Sequence, residues 1–405
     1  MRVREEYAMA CRTIAAAAFL VLAAPPTASA SVKFCAHYLG TYMDAGFGED
    51  RWANNTLEKY ARGARIKVKK DLDGDGVYEE PSEVLWDSYA GDAVGSGDPG
   101  AGCTASIAVA VNNGDYMVHV YSYGVVQGNT LESHDRATGT VYVTTDVVTV
   151  SGGAGTYGFT ASVGGAFDEY NVYTAGAYAI SIHAGGLSAA LYDYRVGPPT
   201  GTTGCAAVST QYCGGKIYIW GAVDEKFSIV HETSHRMMDD KTNGDMLSVN
   251  DCTYSHTGCP ASSGGHSIRS KEYAGCAHNE GFAWFYAADV WNDDTESDCS
   301  LRYVISSPDE TIDCENGAAY MESSCSSGGL AGYGVELDWL RMWWHFHTDA
   351  GTKPTFTDIA EICLAANFVS ATSTHADLVA GVAAYASGTF SSRFASVTDY
   401  NGTNH

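Results

Sequence analysis

Residues 227–240, FSIVHETSHRMMDD, contain the pattern His-Glu-x-x-His. The apolar residues of this stretch recur at helical spacing, which predicts an α-helix. Residues i and i+4 of a helix lie on one face, so His231 and His235 can present two imidazoles to one ion. Glu232 follows the first histidine, where its carboxylate can take a proton from water beside a metal. The motif therefore predicts a metal site, provided that the chain supplies a third ligand.

Two downstream glutamates are candidates for that third ligand. The metzincin pattern would require glycine three residues and histidine six residues after His235, but Met238 and Lys241 occupy those positions. An aspartate in a downstream Gly-Thr-x-x-Asp turn is a second solution, but GTKPTFTD at residues 351–358 matches it poorly and lies far away. A glutamate from a second helix is the third. The stretch CAHNEGFAWFYAADVWN supplies Glu280, 45 residues after His235, and Glu272 lies eight residues before it in SKEYAG. Spacing alone leaves both glutamates open.

The combination of HETSH with the later NEGFAWF resembles the gluzincin zinc metallopeptidases, the clan of thermolysin and fungalysin. The resemblance covers residues 224–291 and says little about the first half of the chain. It implies that His231, His235 and Glu280 bind zinc. It also implies that Glu232 is the general base.

One departure from the clan concerns the support of the metal ligands. The resemblance places Glu280 ahead of Glu272, because the clan's ligand opens a helix of the type Asn-Glu-x-x-Ser-Asp. Ala283 and Trp284 stand here in place of the Ser-Asp pair, whose aspartate would orient the first ligating histidine. Other carboxylates are candidates for that supporting role: Glu336, Asp338, Asp239 and Asp240.

The resemblance implies a secreted zinc metallopeptidase that hydrolyses peptide bonds of a protein or peptide substrate. Two other functions fit the same residues: a non-catalytic secreted or surface binding protein with a degenerate peptidase domain, and a metal-dependent hydrolase of non-peptide substrates. Catalysis also requires a donor to the developing oxyanion. Several side chains of the second half are candidates for it: Tyr273, Tyr320, Tyr333, His345 and His347.

The first thirty residues are typical of a secretory signal. Arginines precede the apolar run TIAAAAFLVLAA, and Ala-Ser-Ala ends at Ala30 as a cleavage site. The run is too short to span a bilayer, so we expect no membrane segment after cleavage. The formal net charge of −25 argues against nucleic acid or an anionic membrane as partner. We therefore expect a secreted or periplasmic protein.

The number and spacing of the cysteines are consistent with an oxidising compartment. Only Cys11 of the twelve lies in the signal, and no Cys-x-x-Cys pair occurs, which favours structural disulfides over a thiolate metal cluster. The odd number that remains predicts one unpaired thiol. Two pairs are close enough in sequence to close short loops, Cys205 with Cys213 and Cys252 with Cys259.

The hydrophobic pattern changes near residue 204 and predicts an α+β multidomain protein. Residues 31–204 contain short runs rich in Val, Tyr, Thr and Ile, among them TASIAVAV, GTVYVTTDVVTV and AYAISIHA, which predict an antiparallel β-sandwich-like domain. GPPTGTTG, residues 197–204, is typical of a linker. Residues 205–405 contain amphipathic segments of helical spacing and predict a mostly helical, zincin-like catalytic domain.

The stretch DLDGDGVYEE, residues 71–80, resembles a calcium-binding loop. Asp71, Asp73 and Asp75 occupy positions 1, 3 and 5, with Gly76 at position 6. Position 12, where a bidentate glutamate is usual, is a serine, and Glu83 follows it. The flanking runs predict strands, so the loop is either a strand-loop-strand calcium site or an acidic hairpin turn.

Overall fold

The computed structural model gives a mixed α and β fold with seven helices among the described residues. The residues described are 30–39, 42–43, 58–92, 101–109, 113–183, 191–241, 267–269, 271–295, 297–304, 310–315, 333–349, 351–366 and 375–404. The predicted signal lies outside them, except for Ala30, which opens the first strand.

Sixteen strands are described. In chain order they are β1 (Ala30–Leu39), β2 (Glu58–Tyr60), β3 (Ala64–Lys69), β4 (Val84–Tyr89), β5 (Ile107–Val109), β6 (Gly114–Val126), β7 (Asn129–Asp135), β8 (Val143–Val150), β9 (Gly155–Ala161), β10 (Leu191–Val196), β11 (Gln211–Cys213), β12 (Lys216–Ile219), β13 (Lys271–Tyr273), β14 (Ser300–Tyr303), β15 (Glu310–Asp313) and β16 (Tyr333–Val335). The helices are α1 (Phe167–His183), α2 (Lys226–Lys241), α3 (Ala274–Trp291), α4 (Glu336–Thr348), α5 (Phe356–Ala366), α6 (His375–Ala384) and α7 (Ser391–Tyr400).

An eight-stranded sheet is the largest described unit. Its strands follow the order β11-β12-β10-β7-β6-β3-β4, and β8 pairs with β6. A smaller sheet places β1 between β2 and β5 and also pairs β1 with β9. Two strand pairs, β13 with β16 and β14 with β15, lie in the helical half.

The prediction of a purely antiparallel first half is wrong. β1 pairs in parallel with β9, and β10 pairs in parallel with both β7 and β12. Parallel neighbours require a long crossover between them. The chain makes such a crossover between β7 and β10, and α1 is part of it. The residue pattern of a single strand does not indicate where the chain returns to the sheet.

Helix α1 corrects a second expectation, because AYAISIHA lies inside it and is not a strand. All residues from Glu169 to Ser181 are buried. A helix that is covered on every side loses the one-sided apolar stripe that identifies helices in sequence. Gly176 allows its close approach to the sheet, since a Cβ there would lie 2.2 Å from the Tyr194 hydroxyl oxygen.

The helical segments predicted in the second half are confirmed as α2 to α6. The two-domain division stays a prediction, and two observations bear on it. β10 and β12 pair across the predicted boundary at residues 204 and 205. One cluster of buried apolar side chains also includes residues of both halves, from Val32 to Val397.

Three disulfides join described residues: Cys35–Cys103, Cys205–Cys213 and Cys299–Cys314. The predicted Cys205–Cys213 pair is confirmed, whereas Cys252 and Cys259 lie outside the described residues. Cys363 is a free, buried thiol. Within the described ranges, no helix is both long enough and apolar enough to cross a lipid bilayer.

Candidate metal centre

Helix α2 is oriented by the threonine between its two histidines. The Thr233 hydroxyl lies 2.8 Å from the hydroxyl of Tyr194 on β10, and it donates to the carbonyl of Ile229. Thr233 is two residues from each histidine, which is roughly 200° around a helix. The contact with the sheet therefore turns His231 and His235 to the opposite side, toward α3.

The predicted ligand atoms meet between α2 and α3. His231 Nε2 lies 3.0 Å from Glu280 Oε2, His235 Nε2 lies 3.2 Å from the same oxygen, and the two Nε2 atoms are 3.1 Å apart. All three residues are at most 5% exposed. They form a group that could hold a metal ion.

The separations and the chemistry of this group fit zinc. Tetrahedral bonds of about 2.0–2.1 Å place neighbouring ligand atoms roughly 3.3 Å apart, close to the observed triangle. Two imidazole nitrogens and one carboxylate oxygen are also the donor set of catalytic zinc sites, which keep a fourth position open. His231, His235 and Glu280 would hold the ion.

Glycine 281 brings the next helix close to the third ligand. A Cβ at this position would lie 2.5 Å from Trp339 Cβ and 2.6 Å from the carbonyl oxygen of Glu336. α4 therefore packs directly against α3 one residue after Glu280. The packing of α4 on this side of α3 leaves the Glu280 side chain on the side of α3 that faces α2.

Glu232 is held by an edge of the large sheet. Its Oε2 accepts a hydrogen bond of 2.6 Å from the backbone N–H of Tyr212 on β11. Glu232 is only 8% exposed. The Tyr212 hydroxyl donates to Asp239, and burial together with this bond raises the pKa of Tyr212 to about 12. The hydroxyl therefore stays protonated at neutral pH and can continue to donate.

Trp284 occupies the environment expected for the supporting aspartate. Its ring lies 4.3 Å from the His231 ring, centroid to centroid, at 43°. An aromatic ring thus restrains the imidazole by packing rather than by accepting a hydrogen bond.

The four carboxylates predicted as replacements have the following positions. Asp239 and Asp240 both pair with Arg236, at 3.3 and 2.6 Å. Glu336 and Asp338 are buried in the first turn of α4. Their support of a metal ligand stays a prediction.

The rival ligand Glu272 lies in β13, where its backbone pairs with Gly334. The buried group that could hold a metal ion contains Glu280. Glu272 therefore stays an alternative for experiment.

The oxyanion candidates are spread over several environments. His345 bonds to the carbonyl of Glu315 and to Asn401, and His347 bonds to the carbonyl of Pro354. Tyr273 is half-buried at the end of β13. Tyr320 and the Tyr333 side chain fall outside the described residues. The choice among them stays open.

The acidic loop joins β3 to β4, as both the calcium-site and the hairpin interpretations predict. Asp71 and Asp73 form a potential metal-binding group with Glu83, and Asp73 and Asp75 form a second one with Glu79. The N–H groups of Gly76 and Gly74 bond to Asp71 and hold its pKa below the usual range. These same hydrogen bonds also suit a metal-free turn, so calcium binding stays a prediction.

Two residues of the site were not singled out from sequence. Tyr212 bonds to Glu232 through its backbone N–H, which no side-chain motif can predict. The short spacing of Cys205 and Cys213 predicts only that the surrounding segment is a closed loop. In sequence, Trp284 indicates only the absence of the aspartate that the clan has there. Its contact with His231 joins residues 53 positions apart and depends on how α2 and α3 pack.

A scan against protein-family models finds no match, and a search of curated proteins finds no similar sequence. The resemblance of the two motifs to the gluzincins stays a prediction.

Proposed function

We propose that the protein is an exported zinc metallopeptidase. The observation that carries the proposal is the convergence of His231, His235 and Glu280 within 3.0–3.2 Å, with Glu232 next to the first ligand in sequence. A zinc ion held there would supply Lewis acidity, lowering the pKa of water and polarising a substrate carbonyl.

Glu232 is the proposed general base. Its carboxylate accepts the proton of the attacking water and returns it to the leaving amine. The Tyr212 N–H stabilises the ionised form of Glu232, which is the form that can accept a proton. The surrounding burial excludes competing water from the carboxylate.

Peptide is the proposed substrate because β11 lies beside Glu232 at one end of the described sheet. Extended peptides add to the edge strand of a sheet through main-chain hydrogen bonds. The net charge of −25 is unfavourable for nucleic acid. Export is proposed from the N-terminal signal pattern, and the three disulfides are consistent with it.

The test combines metal analysis with a peptidase assay. The purified chain should contain one zinc per molecule and cleave casein or gelatin. Glu232→Gln should keep the zinc and lose the cleavage, whereas His235→Ala should lose both. Absence of bound metal in the wild type would refute the site. Zinc without proteolysis would support the binding-protein alternative, and zinc with cleavage of esters alone would support a non-peptide hydrolase.

The third ligand needs its own pair of variants. Glu280→Ala should release zinc, because it removes the oxygen that lies within 3.2 Å of both imidazoles. Glu272→Ala, which removes a carboxylate from the neighbouring β13, should retain it. Zinc content after dialysis measures both. The reverse result would assign the ligand to Glu272.

A further inference from the structure

One residue of β11 contacts α2 at two positions. Tyr212 donates its backbone N–H to Glu232 Oε2 and its hydroxyl to Asp239. Glu232 and Asp239 are seven residues apart, so they lie on the same face of α2. Arg236, between them, places its Nη1 3.4 Å from the same hydroxyl. β11 is therefore joined to the helix that carries the His-Glu-x-x-His motif.

The loop that leads into β11 is itself fixed at both ends. The Cys205–Cys213 disulfide closes it directly after Tyr212. Arg136, 8% exposed, donates to the carbonyls of Cys205, Ala206 and Val208 at 3.0, 2.9 and 2.7 Å. Its guanidinium also lies 4.5 Å from the centre of the Tyr218 ring on β12. A buried cation thus holds three carbonyls of the nine-residue loop 205–213 in place.

We propose that the loop of residues 205–213, closed by its disulfide, is a positioning element for Glu232. The inference rests on the proposed peptidase function. A glutamate has three rotatable side-chain bonds and loses entropy when it is held in one orientation. A fixed N–H donor at 2.6 Å selects one orientation of the carboxylate before substrate arrives. The disulfide and Arg136 fix that donor, so they act on catalysis through Tyr212.

The hydrogen bond can be tested without any activity measurement. In the full chain labelled with ¹⁵N-tyrosine, the Tyr212 amide should exchange slowly with solvent. Glu232→Ala should make it exchange roughly ten times faster, because the amide loses a charged acceptor. Glu225→Ala, which changes a carboxylate just before the start of α2, should leave the exchange rate as it is. An unchanged Tyr212 amide in Glu232→Ala would overturn the proposal.

Kinetics then separate positioning from stability. The double variant Cys205→Ala/Cys213→Ala should lose roughly ten- to hundredfold in kcat, with little change in KM and in zinc content. Cys299→Ala/Cys314→Ala also removes a short-range disulfide and should keep its kcat when assayed below its melting temperature. Equal kcat in the wild type and the Cys205/Cys213 variant would overturn the inference.

The same measurements distinguish the inference from the proposed function. If Glu232→Gln is inactive and the Cys205/Cys213 variant is fully active, the peptidase function stands and the positioning role fails. If Glu232→Gln cleaves peptides as fast as the wild type, the peptidase mechanism itself fails. In that case the exchange experiment still reports whether Tyr212 bonds to Glu232.

Discussion

Trp284 packs its indole against the imidazole of His231, with only 6% of the residue exposed. Ligating histidines usually obtain their orientation from a hydrogen-bonded carboxylate. A tilted ring in contact with the imidazole restrains its plane but does not increase its basicity. The restraint that Trp284 places on His231 is therefore steric.

This steric role predicts the behaviour of substitutions at residue 284. Trp284→Ala should lower the free energy of unfolding by about 3–5 kcal/mol and weaken zinc binding roughly tenfold. Trp284→Phe should preserve most of the zinc affinity. Urea unfolding and competitive titration with a zinc chelator measure the two quantities.

Trp344→Ala is the matched control, since Trp344 is also buried, in α4, and its indole nitrogen lies 3.3 Å from Glu315. It should destabilise the chain without changing zinc affinity. Unchanged zinc affinity in Trp284→Ala would show that the ring does not orient His231.

The closeness of His231 and His235 could be predicted from sequence because a helix fixes the relation between them locally. Glu280 required a resemblance, since its distance from them depends on the packing of two helices. The partner of Glu232 could not be predicted, because a backbone N–H is present in nearly every residue and carries no sequence signal. Only the tertiary fold selects Tyr212 for that bond.

At the scale of elements, Gly281 determines the separation of α3 and α4. The atoms nearest to a Cβ at this position are Trp339 Cβ, the Glu336 carbonyl oxygen and the Leu340 backbone nitrogen. The two backbone atoms cannot move without shifting α4. Any side chain at 281 must push α4 away from α3, next to the ligand Glu280.

We expect Gly281→Ala to lower the free energy of unfolding by about 1–3 kcal/mol and to reduce zinc affinity. Gly165→Ala is the control, because a Cβ there meets no atom within 4 Å, and it should change stability by less than about 0.5 kcal/mol. Urea unfolding and zinc titration apply to both. Equal stability of the two variants would contradict close packing at Gly281.

The acidic loop between β3 and β4 yields a separate prediction. If it binds calcium, millimolar calcium should raise the melting temperature of the wild type. Asp71→Asn/Asp73→Asn should abolish that rise, whereas Glu361→Gln, a carboxylate on α5, should not. Scanning calorimetry with calcium and with EGTA measures the effect. An equal rise in all three proteins would exclude the loop as the site.

Strands such as β6 and the helices α5 and α6 could be predicted because one face of each is covered and the other is not. α1 could not, since its residues from Glu169 to Ser181 are all buried and show no period. The parallel pairing of β10 with β7 and β12 depends on where the chain returns after a long crossover. The packing of α1 on the sheet determines where β10 joins it.

At the scale of the whole molecule, a buried ionic cluster joins helices from both halves. Asp289 of α3 is fully buried, with Oδ2 2.7 Å from His183 Nε2 at the end of α1 and Oδ1 3.4 Å from His347 Nε2 of α4. Burial alone would raise the pKa of Asp289, but the two histidines outweigh it and hold the pKa well below its usual range. Burial would lower the pKa of His347, and Asp289 outweighs it and raises the pKa.

These directions predict how stability depends on pH. The contribution of His347 is complete below the usual histidine pKa of about 6.5 and is lost as the pH rises through its raised value. The contribution of Asp289 is complete above about pH 3.9 and is lost as the pH falls toward its depressed value. The melting temperature should therefore fall between pH 6 and pH 9.

Asp289→Asn should remove most of that alkaline fall while costing about 3–5 kcal/mol at pH 6. Thermal unfolding of both proteins at pH 6 and pH 9 is the measurement. A fall of the same size in Asp289→Asn would assign the pH dependence to other groups.

The pairing of β10 with β12 has a consequence for processing of the chain. Many exported enzymes are activated when a protease cuts an exposed connection and the preceding segment departs. A cut within residues 197–204 would break the chain between two strands that remain hydrogen-bonded neighbours in one sheet. The contact of His183 Nε2 with Asp289 Oδ2 would also still connect the two fragments. We therefore expect such a nick to yield two polypeptides on a denaturing gel and a single particle in gel filtration.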